Sequence, residues 1–227
     1  MTKPLDKSPR LRLGKGPLGF IHTVGNLRGV FGPLAEELLP NVEVEHVVDE
    51  SLLKDAIAEG GVTSEIEARL AAHVAALSQS GADTIMVTCS SMGQAVDRIA
   101  AKSDFPVLRV DAAMVDEALR TGKRIGVLAT LRTTMTPTVD LVRQRSNGDA
   151  SVKVEAHLCE GAFEALKAGG VARHDELVRG GLRRIEPLVD VVILAQASMG
   201  RVVAGPGTTS RRPILSSPRL AMQAFAQ

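Results

Sequence analysis

The chain has no tryptophan and no tyrosine among its 227 residues, and its five phenylalanines are scattered. The aromatic platforms on which single-stranded nucleic acid stacks are therefore scarce. A formal net charge of +1 gives no general attraction to polyanions either. There are only two cysteines, Cys89 and Cys159, too few for a disulfide scaffold. Reduced thiols in a cytoplasmic protein are expected. No apolar run is long enough to cross a bilayer, and none near the N-terminus has signal-peptide form, so no membrane partner is expected. His46, His73, His157 and His174 lack metal-ligand spacing, and a structural or exposed role is expected for each. The glycine pairs Gly60-Gly61 and Gly169-Gly170, and the loop Gly205-Pro206-Gly207, read as turns without phosphate-loop context.

What is present is a globular pattern. Apolar residues make up 44% of the chain, and the length allows one large domain or two small lobes. Met1–Gly16 carries five basic residues against Asp6 alone and reads as a flexible basic tail. Beyond it, short apolar runs alternate with helical periodicity. Strands are predicted at Leu18–Thr23, Val42–Val48, Thr84–Val87 and Pro106–Val110. Helices are predicted near Pro33–Leu39, over Ser64–Ser80 with Thr63 or Ser64 as N-cap, from the loop after Val87 to about Ala100, and over Ala112–Arg120.

The pattern then starts again. Arg124–Thr130 matches Pro17–Thr23 at an offset of about 107 residues, a period that indicates two homologous lobes rather than a solenoid. Val152–His157 corresponds to Val42–Val48, Asp190–Ala195 to Asp83–Thr88, and Pro213-Ile214-Leu215 to Pro106-Val107-Leu108. Strand and helix alternation in each copy predicts an α/β fold of two pseudo-symmetric lobes with parallel sheets, residues 17–121 and 122–227, with the final helix crossing back. Ligands of such sheets bind beyond the carboxyl ends of the strands, which places the site in the cleft between lobes.

Two stretches supply that cleft. VTCSSMG at Val87–Gly93 is repeated as LAQASMG at Leu194–Gly200, so Ser91 falls on Ser198 and Cys89 on Gln196. A thiol at a helix start feels the helix dipole and unpaired N–H groups, and a lowered pKa is expected for Cys89. It could act as acid, base or nucleophile. Thr88, Ser90 and Ser91 offer hydroxyls and N–H groups as a carboxylate clamp, with Thr23 beside them at the end of the first strand. Ala197 and Ser198 could hold another part of the substrate; for Ser91 and Ser198, N-capping is the competing role. His22 could pair with Cys89 as a thiolate–imidazolium couple or cap its strand. Gln196 cannot titrate, but it can donate a hydrogen bond to a developing enolate.

This set resembles the aspartate/glutamate racemase superfamily, which includes hydantoin racemases, arylmalonate decarboxylases and maleate isomerases. The resemblance runs from about Pro17 to the C-terminus. ATLRTT at Ala129–Thr134 is similar to the family's Gly-Thr-x-x-Thr segment and puts Thr130 and Thr133 on its threonines as substrate or cap contacts. The family's chemistry implies a cofactor-free enzyme, with no metal, nucleotide or pyridoxal group, acting on a small carboxylate or dicarboxylate. It also points to a homodimer. Its racemases use one cysteine from each lobe; here only the first-lobe position, Cys89, is kept. The position matching His22 carries an acidic residue in glutamate racemases. Cys159 does not fall on the second cysteine position; it lies in LCEGAF, a segment that often lines the family's cleft. One thiol leaves several reactions open: racemisation with another second base, decarboxylation of a malonate-type acid, or cis–trans isomerisation of an unsaturated diacid. A binding protein that has lost its chemistry is the reading from another class.

Overall fold

A computed structural model describes residues 13–204 and 209–225. Most of the basic tail and the loop at Gly205-Pro206-Gly207 lie outside the described residues. The first half contains β1 (Leu18–His22), α1 (Arg28–Leu38), β2 (Val44–Val48), α2 (Glu50–Ala58), α3 (Ser64–Gln79), β3 (Thr84–Val87), α4 (Gly93–Ala100), β4 (Val107–Arg109) and α5 (Ala112–Thr121). The second contains β5 (Arg124–Ala129), α6 (Arg132–Arg145), β6 (Lys153–Leu158), α7 (Ala162–Lys167), α8 (Val171–Ile185), β7 (Val191–Leu194), α9 (Gly200–Ala204), β8 (Ile214–Ser216) and α10 (Ser217–Gln223). The strands form two four-stranded sheets, ordered β2-β1-β3-β4 and β6-β5-β7-β8, with every pair parallel. Central strands β1, β3 and β7 are buried along their whole length, which is why they read as unbroken apolar runs.

The repeat extends to individual hydrogen bonds. Asp83 accepts from the Gly16 N–H at 2.7 Å, and Asp190 accepts from the Lys123 N–H at 3.2 Å. Each carboxylate pins the chain where it enters the first strand of its half. Gly19 and Gly126 also do the same work. A Cβ on Gly19 would lie 3.0 Å from Leu77 of α3, and one on Gly126 would lie 3.1 Å from Ile185 of α8. The missing side chain lets each long helix settle onto the centre of its sheet.

One face of each sheet is completed by a helix from the other half. Met114, Val115 and Ala118 of α5 pack with Ile125 and Val127 of β5. Ala221 and Met222 of α10, with Phe225 after it, pack with Leu18, Phe20 and Phe31 of the first half. The exchange ties the two halves by reciprocal burial of apolar surface, and the Arg219–Glu37 ion pair adds an exposed contact between α10 and α1.

Two elements depart from the sequence reading. α1 begins five residues before Pro33, which sits inside it. Gly29, four residues earlier, is the position whose carbonyl would have received the missing proline N–H. α2 was not expected at all. Asp49 caps it, accepting from the Ser51 N–H at 3.0 Å, and Leu52, Leu53 and Ala56 form its buried side. At the next helix, Thr63 rather than Ser64 is the N-cap.

Candidate active site

β1, β3, β5 and β7 end at one cleft of about 110 Å³ between the halves. Its floor is made by the two repeated loops. Cys89 and Gln196 hold nearly the same backbone shape, with φ/ψ of −124°/113° and −128°/137°. Each precedes a single 3-10 turn, Ser90–Met92 or Ala197–Met199, that leads into α4 or α9. Thr23, Thr88, Cys89, Ser90 and Ser91 line the cleft from the first half. Gln196, Ala197 and Ser198 line it from the second, joined by Thr134 and Ser217.

Cys89 is partly open to the cleft and otherwise enclosed by protein. Burial pushes its thiol pKa up, the reverse of the expected lowering. The Thr23 hydroxyl, the Ser91 and Met92 N–H groups and the Ser91 hydroxyl pull it back in part. Desolvation of the thiolate outweighs the donors of one short turn. Thr23 Oγ1 is buried and completes no hydrogen bond of good geometry, so its effect on the thiol is one of proximity.

Gln196 is latched. Its Oε1 accepts from the Thr130 N–H at 2.6 Å, and its Nε2 donates to Thr130 Oγ1 at 2.8 Å. One hydrogen of Nε2 is left to point elsewhere. Thr130 therefore stands behind Gln196 and outside the lining of the cleft. Thr133 is also outside the lining, and its hydroxyl is buried without a partner. α6 begins at Arg132, and one residue further along a helix turns about 100°. That rotation puts Thr134, not Thr133, on the cleft face, where Thr134 Oγ1 lies 2.8 Å from Ser91 Oγ.

His22 is fully buried and does not line the cleft. Strand alternation puts it on the same face of β1 as Leu18 and Phe20, stacked near Phe20 and packed against Phe31. Its Nδ1 lies 2.8 Å from Thr88 Oγ1 and its Nε2 lies 2.9 Å from His46 Nδ1. No hydrogen bond joins it to Cys89. Burial, then His46, then Arg28 lower its pKa to about 4. The expected thiolate–imidazolium couple is therefore replaced by a neutral imidazole that holds Thr88.

Cys159 faces a different groove, alongside His157 and Gly181, and burial pushes its thiol up to about 11. From the same LCEGAF segment it is Phe163 that reaches the cleft, with Leu166 one turn later on α7. Leu53 of α2 faces it from the other half. These positions are apolar and lie on helices, not among the polar residues that follow the strands. The sequence signal for Leu53 is the helical spacing of Leu52, Leu53 and Ala56 after the capping residue Asp49. Among the described residues, no cluster of three metal-ligating side chains forms and no helix is long and apolar enough to cross a membrane.

Two parallel-sheet lobes around a thiol-bearing cleft define a class of α/β protein with a pseudo-twofold site. Within that class, the family model for Asp/Glu/hydantoin racemase matches residues 31–225, and the chain belongs to this family. No curated protein matches the sequence. A glutamate racemase from Francisella tularensis, solved in complex with D-glutamate, is 16% identical with a TM-score of 0.71, over 92% of this chain and 78% of that one. A glutamate racemase isoform from Bacillus anthracis is 17% identical with a TM-score of 0.69, over 92% and 79%. An allantoin racemase from Klebsiella pneumoniae is 17% identical with a TM-score of 0.65, over 93% and 86%. At such identities the likeness is one of fold.

Proposed function

We propose that the protein is a cofactor-independent enzyme of the racemase and isomerase type that moves a proton at the carbon next to a carboxylate, with Cys89 as the acid/base. Family membership supports an isomerase of this kind. The observation that carries the proposal is the pairing of Cys89 with Gln196 at matching positions of the two loops facing one cleft. A single titratable group at those positions treats the two faces of a planar intermediate differently. A thiol whose pKa is raised rests protonated, which suits delivery of a proton to a carbanion; in a racemase that carbanion first forms by loss of the opposite-face proton to water, since Gln196 does not titrate. Gln196 lines the cleft with one Nε2 hydrogen not used by Thr130, which can donate to the charge that develops on the enolate. Ser90 presents its first-turn N–H to the carboxylate, while the Ser91 N–H is directed at the Cys89 sulfur. His22 acts at one remove, as the positioning residue for Thr88.

The same features support a second reading, in which Cys89 protonates the enolate left by decarboxylation of a malonate-type acid. Incubation of candidate acids in D₂O separates the two. Deuterium at the carbon next to the carboxylate, with both enantiomers labelled, marks a racemase. Label in one enantiomer of a product that has lost carbon dioxide marks the decarboxylase. Cys89→Ser is expected to lower either rate at least a hundredfold. Undiminished turnover by that variant would remove Cys89 from the chemistry.

A further inference from the structure

We infer that the cleft takes an organic acid with an apolar substituent and no ammonium group, rather than an amino acid. The inference rests on the proposed reading of the cleft and narrows its substrate class. The chemistry of the walls carries it. Val24 and Leu27 from the loop after β1, and Leu53 from α2, form an apolar side. Leu131, Phe163 and Leu166 from the second half form the other. The helices α2 and α7 follow equivalent strands, so each half brings apolar surface to the cleft.

The polar groups of the lining are neutral. Among the described residues, none that lines the cleft carries a carboxylate or a cation. An ammonium taken out of water needs a carboxylate partner to offset its desolvation, and hydroxyl or amide oxygens do so incompletely. Gln196 Oε1 is committed to the Thr130 N–H. Glu50 lies outside the lining and accepts from the Gly25 N–H at 2.7 Å. A carboxylate fares differently. The buried Thr23 hydroxyl completes no hydrogen bond of good geometry and lines the cleft, as does Ser90, whose first-turn N–H lacks a helical acceptor. Hydrogen-bond donors suffice for an anion there without a cation.

The test uses binding, so that it does not depend on which reaction occurs. 2-Phenylpropanoate and phenylglycine share a skeleton and differ by a methyl in place of the ammonium. Calorimetric titration of the intact Cys89→Ala chain with each, and with aspartate and glutamate, is expected to give 2-phenylpropanoate at least tenfold tighter than the other three. Phe163→Ala and Leu166→Ala, on half-buried positions of α7, are expected to weaken 2-phenylpropanoate about tenfold and to narrow its advantage over propanoate. Thermal unfolding of each variant checks that it is folded. Equal or tighter binding of phenylglycine, aspartate or glutamate overturns the inference, as does absence of binding by all four. Loss of the Cys89 assignment in the D₂O experiment leaves this outcome separately readable.

Discussion

The Ser91 hydroxyl of the first half and the Thr134 hydroxyl of the second lie 2.8 Å apart, both buried, at the floor of the cleft. The pair fastens the thiol-bearing loop to the first turn of α6. A double-mutant cycle over Ser91→Ala and Thr134→Val should show a coupling of about 1 kcal/mol in denaturant unfolding. Additive effects would mean the two hydroxyls act independently.

Gly93 and Gly200 end the two copies of the repeated motif but sit in different surroundings. A Cβ on Gly93 would meet the Arg109 guanidinium, with Cζ at 2.4 Å, whereas on Gly200 the nearest atom is Ser216 Oγ at 3.6 Å. Gly93→Ala should destabilise by roughly 1–3 kcal/mol and Gly200→Ala by far less. Equal thermal unfolding of the two variants would contradict this account.

Arg109 is itself a cross-half clamp. It donates through Nε to buried Asp111 at 2.9 Å, through Nη1 to Asp97 at 2.7 Å and through Nη2 to the Pro137 carbonyl at 3.2 Å. Arg109→Met leaves the Asp111 carboxylate buried without its partner and should cost roughly 3–5 kcal/mol. Arg109→Met with Asp111→Leu should recover part of that loss in the same unfolding assay.

His22 makes stability depend on acid pH. Unfolded, it takes up a proton near 6.5; folded, it does so only near 4. The unfolded chain thus binds more protons between those values, and stability falls as pH drops through the window, by on the order of 3 kcal/mol. His22→Asn should flatten that part of the stability–pH curve. An NMR titration should find one histidine that stays neutral down to about pH 4. A His22 resonance titrating near 6.5 would disprove the assignment.

Burial raises both thiols, so alkylation should report it. Labelling of native protein with iodoacetamide should stay slow at pH 8 and accelerate only in more alkaline buffer. Fast labelling of Cys89 at neutral pH would show a stabilised thiolate.

Legibility from sequence followed burial. β3 and β7 were readable because strands covered on both faces have no polar positions to blur them. The two loops after them were readable because the repeat set one beside the other. α2 carries only a short amphipathic pattern, with Asp49 marking its start. The motif match points to Thr133 where the cleft takes Thr134, because such a match gives position along the chain and not direction around a helix. His22 ends the first strand next to cleft-lining Thr23, yet strand alternation turns it to the Phe20 side.

The amino-acid sequence by itself determined that there are two related α/β halves and that one carries a cysteine where the other carries a glutamine. Periodicity and repetition are properties of the chain, so they survive without coordinates. Only the tertiary structure decided which side chains share the cleft, that no described residue of its lining is charged, and that burial pushes the thiol pKa up. Those properties depend on what lies across from a residue. Ser91 and Thr134, which meet at hydrogen-bond distance, and Leu53 and Phe163, which line the same cleft, come from opposite halves of the chain.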